Sequence, residues 1–142
     1  MNAIKFQIAI GAVAAALPLV AALPAVADPN GIGGRVFALN TENGSGEFGT
    51  VALKPLGQQT AVEVHVVNVP AGEVQPTHIH YGTCAAVQPP IIYSLSPIVD
   101  GTSESIIDVP LTKLLATPSV VHVHTSYKTE HSSVACAELS TK

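Results

Sequence analysis

Residues 60–69 alternate apolar and polar side chains with a period of two, Val62, Val64 and Val66 against Glu63 and His65. Only an extended strand sorts such a pattern onto one buried and one wet face. Shorter segments of strand character recur at 35–39, 47–53, 75–81, 91–95, 105–109, 119–125 and 133–139, about eight in all. Between them stand turn signals: Asn43-Gly44-Ser45-Gly46, Pro70-Ala71-Gly72, Gly82-Thr83-Cys84, Pro89-Pro90 (a loop) and Asp100-Gly101. Residues 111–116 allow one helical turn before Pro118, and no long helix is supported. Strands this short and this regularly broken predict an all-β, antiparallel sandwich or barrel.

Residues 1–27 read as a secretory leader. Lys5 supplies a positive start, 8–20 is an apolar run, and Ala25-Val26-Ala27 has the small-X-small form of a cleavage site. Cleavage after Ala27 leaves 28–142 as one small domain. No later segment approaches the ~20 apolar residues of a membrane span. The expected product is periplasmic or secreted, with no membrane anchor. The chain has 6 Lys and Arg against 10 Asp and Glu, a net charge of −4. Without a basic cluster, this balance argues against nucleic acid as a partner.

The chemistry concentrates in two His-X-His pairs, His78-Ile79-His80 and His122-Val123-His124. On a strand, residues i and i+2 share a face. Each pair therefore projects two imidazoles one way and one apolar side chain, Ile79 or Val123, toward the core. If the two strands are neighbours, three or four imidazoles converge, and the expected partner is a metal ion. His131 is a further candidate ligand or a loop histidine beside the metal. His65 shares a face with Glu63 and reads as solvated.

Two cysteines, Cys84 and Cys136, follow the pairs. In an exported chain an even count favours a disulfide, the alternative being two thiolate metal ligands. A blue-copper site needs a free thiolate, two histidines and usually an axial Met. The single Met is Met1, in the leader. An all-imidazole set fits copper, with zinc second. No Gly-X-Ser-X-Gly elbow and no phosphate-binding Gly-rich loop is present. The plainer alternative is a structural module whose histidines are surface features.

Several motifs resemble a known family. Thr77-His78-Ile79-His80-Tyr81-Gly82-Thr83-Cys84 resembles the copper-ligand strand and following cysteine of copper/zinc superoxide dismutases. Ser119-Val120-Val121-His122 resembles the strand that delivers a later copper histidine, and Val134-Ala135-Cys136-Ala137-Glu138-Leu139 the closing strand. Val123-His124-Thr125 is also similar to CHRD modules, named for chordin. The resemblance implies a Greek-key β-sandwich, copper on its outer face held by His78, His80 and His122 or His124, and a Cys84–Cys136 disulfide. It also exposes departures. Residues 85–121 contain no histidine, where the family carries its zinc ligands. Ser133 stands where the family has an arginine that attracts superoxide, and Arg35 is the only arginine in the chain. These departures favour an exported protein that binds or buffers copper. A copper-only superoxide dismutase, making dioxygen and hydrogen peroxide, is the alternative.

Overall fold

The computed structural model describes residues 33–125 and 132–140. The expected leader and His131 lie outside the described residues. The elements are β1 (Arg35–Thr41), β2 (Phe48–Leu56), β3 (Gln59–Val67), β4 (Val74–Gln75), β5 (Thr77–Thr83), β6 (Ala86–Ser94), β7 (Ile98–Val99) and β8 (Thr102–Ile107). They continue with α1 (Leu111–Leu114), β9 (Ser119–His124) and β10 (Ser133–Leu139). Among the described residues the fold is all-β and every ladder is antiparallel.

The ten strands form one sheet in the order β4-β7-β8-β3-β2-β1-β10-β9-β5-β6. The count exceeds the eight expected from sequence because β4 and β7 are two-residue strands, too short to leave a periodic pattern. The sheet curls at the junction of β1 and β10, which pair only at Asn40↔Cys136 and Thr41↔Ala135. Both flanks then share one core. Val51, Leu53, Val62 and Val64 from one side and Ile79, Val121, Val123 and Ala137 from the other belong to a single buried cluster. The alternation in 60–69 explains this directly: Val62, Val64 and Val66 are buried while His65 on the opposite face is exposed. At about 1.5–3 kcal/mol per buried Val, Leu or Ile, this cluster is the main stabilising term. In α1, Leu111 and Leu114, three apart, both face the core.

Pro89-Pro90 belongs to β6 and does not form the expected loop. Proline lacks the N–H a central strand must donate, but β6 is the sheet's end and, among the described residues, pairs only with β5. The two prolines sit in an irregularity: His80 faces Ile91 and Gly82 faces Val87, so three residues of β6 stand opposite one of β5. Gly82 is required in this hairpin. Its φ is 106° and an added Cβ would lie 2.3 Å from the Ala86 carbonyl oxygen.

Cys84 and Cys136 form a disulfide. Cys84 lies in the turn after β5, Cys136 on β10, and β9 runs between them, so the bridge spans the outer face of β9. Val120 and Cys136 are fully buried yet lie outside the core cluster. Among the described residues, no helix is long and apolar enough to cross a membrane.

Candidate metal centre

The two His-X-His pairs lie on adjacent strands, β5 and β9, with His78 directly opposite His122. Ile79 and Val123 between the histidines are fully buried. Burying them fixes the strand registers and turns all four imidazoles to the opposite face. The rings form a closed circuit. Centroid separations are 6.0 Å for His78–His80, 5.9 Å for His80–His122, 4.6 Å for His122–His124 and 5.4 Å for His78–His124.

Within this circuit, His78, His80 and His124 each offer one ring nitrogen, and these three atoms lie within 4.8 Å of one another. Metal–imidazole bonds of about 2.0–2.1 Å place ligands roughly 3.5 Å apart, so small side-chain rotations close the group on one ion.

His80 is the most constrained of the three, at 7% exposure. Its Nδ1 lies 3.0 Å from the Gln88 carbonyl oxygen. A carbonyl only accepts, so Nδ1 carries the proton and Nε2 keeps its lone pair. That Nε2 is buried and meets no hydrogen-bond partner among the described residues. A buried imidazole nitrogen without a partner costs stability unless something coordinates it. The Gln88 carbonyl reaches the ring because Gln88 lies in the irregularity made by Pro89-Pro90. A backbone carbonyl behind a ligating histidine sets tautomer and ring orientation in metal sites generally.

His122 is held differently. Its Nε2 lies 3.1 Å from Glu42 Oε2, and the same carboxylate oxygen accepts a hydrogen bond from the Ser133 hydroxyl. Burial pushes the His122 pKa below its ordinary value. Glu42 opposes that shift by charge and hydrogen bond, and His80 adds to it. A neutral His122 donates its Nε2–H to the carboxylate. Glu42 is itself fixed, its backbone N–H bonding the Val134 carbonyl at 2.8 Å.

The structure thus brings together His78, His80, His122 and His124. His65 stays exposed on the other flank, opposite Thr50 and Thr102. Cys84 and Cys136 lie within reach of Glu42, but both sulfurs are spent in the disulfide and neither is a thiolate ligand. Sequence reading missed Glu42 and Gln88. Glu42 is 80 residues from His122 and carries no spacing signal. Gln88 contributes through its backbone, which the residue type does not advertise.

No protein-family model, curated protein or solved structure matches the chain.

Proposed function

We propose that this is an exported protein that binds or buffers copper through a multi-histidine site on a superoxide dismutase-like Greek-key sandwich. The observation that carries the reading is His80: a buried, unpartnered Nε2, oriented by the Gln88 carbonyl, beside two further imidazole nitrogens. An all-imidazole group, with no carboxylate in it among the described residues, fits copper, with zinc second. Bound copper would supply one-electron chemistry. The protein's own part is to hold His78, His80 and His124 convergent, and to keep the His80 tautomer through Gln88.

The Greek-key assignment draws support from the order β8-β3-β2-β1-β10-β9-β5-β6. The chain passes between the two flanks from β4 to β5, from β6 to β7 and from β8 to β9. The disulfide between the β5 turn and β10 agrees with the same family pattern and with an oxidising, periplasmic or secreted location. Binding is favoured over dismutation by the charge beside the rings. Ser133 stands where the resembled family carries an arginine, and it bonds Glu42, so the charge beside the rings is a carboxylate and would repel an anionic substrate.

The test is elemental analysis of the purified chain after exposure to equimolar copper and zinc, followed by a superoxide assay. About one copper per chain with no superoxide turnover is expected. Copper with rapid turnover would install the dismutase reading, and a chain that retains neither metal would leave a structural module.

A further inference from the structure

The four imidazoles are not equivalent. Three converge, and the fourth, His122, is turned onto Glu42. Its place in the sheet allows both arrangements. His122 sits on β9 between His78 of β5 and Cys136 of β10, its direct partners on either side. The ring can lean toward the three-imidazole group or toward β10. Glu42 decides the matter from the β10 side. It is held there by its backbone bond to Val134 and by the Ser133 hydroxyl, both on β10.

We infer that Glu42 anchors His122 outside the three-imidazole group and so makes the copper site selective for the cuprous ion. The inference rests on the copper reading above. Cuprous ion has a filled d shell and accepts three imidazoles. Cupric ion favours four nitrogen or oxygen donors in a tetragonal array. A fourth imidazole stands ready in His122, but recruiting it means giving up the bond to Glu42. Hydrogen bonds to charged groups are worth enough to shift a binding constant by about ten-fold or more. Glu42 therefore sets the preference between oxidation states without touching the metal. It is a positioning residue, acting through His122.

The experiment measures cuprous and cupric affinities separately, by competition with chromophoric chelators, for the full mature chain and its variants. Glu42→Ala should raise the cupric-to-cuprous affinity ratio about ten-fold. Glu42→Gln, which removes the charge but keeps an acceptor for the ring N–H, should raise it less. In the Glu42→Ala/His122→Ala double variant the gain should vanish. Electron paramagnetic resonance of the cupric form should count one more coordinated nitrogen in Glu42→Ala than in wild type. Copper bound by every variant with an unmoved ratio would overturn the anchor and leave the copper site standing. A ratio that falls in Glu42→Ala would also overturn it, by making Glu42 a support for a permanent His122 ligand. A wild-type chain that binds no copper would overturn both readings. Circular dichroism of each variant identifies any that fail to fold, and Glu42→Gln then decides the matter alone.

Discussion

Replacing Cys84 and Cys136 together with alanine should cost this domain about 4 kcal/mol. The bridge closes a loop of 52 residues. In the loop-entropy treatment, that length removes about 14 cal/mol/K from the unfolded chain, or about 4 kcal/mol at 25 °C. Small domains are stable by only about 5–15 kcal/mol, so the loss is a large share of the whole. Alanine suits position 136, which is fully buried between Ala135 and Ala137 on β10. The assay is equilibrium urea unfolding followed by far-UV circular dichroism. At a slope of about 1.5 kcal/mol/M, the midpoint should fall by roughly 2.7 M. The single Cys84→Ala variant should lose nearly as much as the double, because either change opens the loop. A loss under about 1 kcal/mol in the double variant would refute the entropic account of the bridge.

Two further perturbations probe positions away from the four-imidazole cluster. Burial pushes the Glu47 carboxyl above its ordinary value of 4.5, the Gln75 amide bond opposes this, and Glu73 adds to the rise. The folded state then holds the Glu47 proton more tightly than the unfolded chain, and its contribution is full below about pH 4.5 and lost as pH rises through the raised value. Glu47→Gln should flatten that part of the urea-stability profile against pH; an unchanged profile would contradict the assignment. Gly49→Ala should destabilise by about 2 kcal/mol or more, since the new Cβ would stand 1.8 Å from the His65 carbonyl oxygen of the neighbouring strand. A melting temperature equal to wild type would show that β2 and β3 can part there at no cost.

Much of this architecture is legible in local patterns, and the rest is not, for a physical reason. The alternation of Val62, Val64 and Val66 reads out β3 because burial acts on every second residue of one strand. The same logic turns Ile79 and Val123 inward and the histidines outward. Pro89-Pro90 misleads, because proline signals a loop unless the strand is at an edge, and edge position is a property of the whole sheet. β4 and β7 exist only through pairing with each other and with β8, so two residues apiece leave no period to detect. Glu42 and Gln88 belong to the site through long-range approach and a backbone carbonyl. Neither spacing nor residue type carries that information. The division of the four histidines into three and one follows from Glu42, and so it too was hidden.

The central claim is that His78, His80 and His124 hold one copper ion, and His80 is its sharpest test because its second nitrogen is already committed to Gln88. Copper should be titrated into the wild-type protein and into His80→Ala, with circular dichroism confirming that both are folded. Wild type should bind one equivalent tightly. His80→Ala should bind at least about 100-fold more weakly, since losing an outer-shell partner alone costs about 10–100-fold. Equal affinity in the two proteins would contradict the claim.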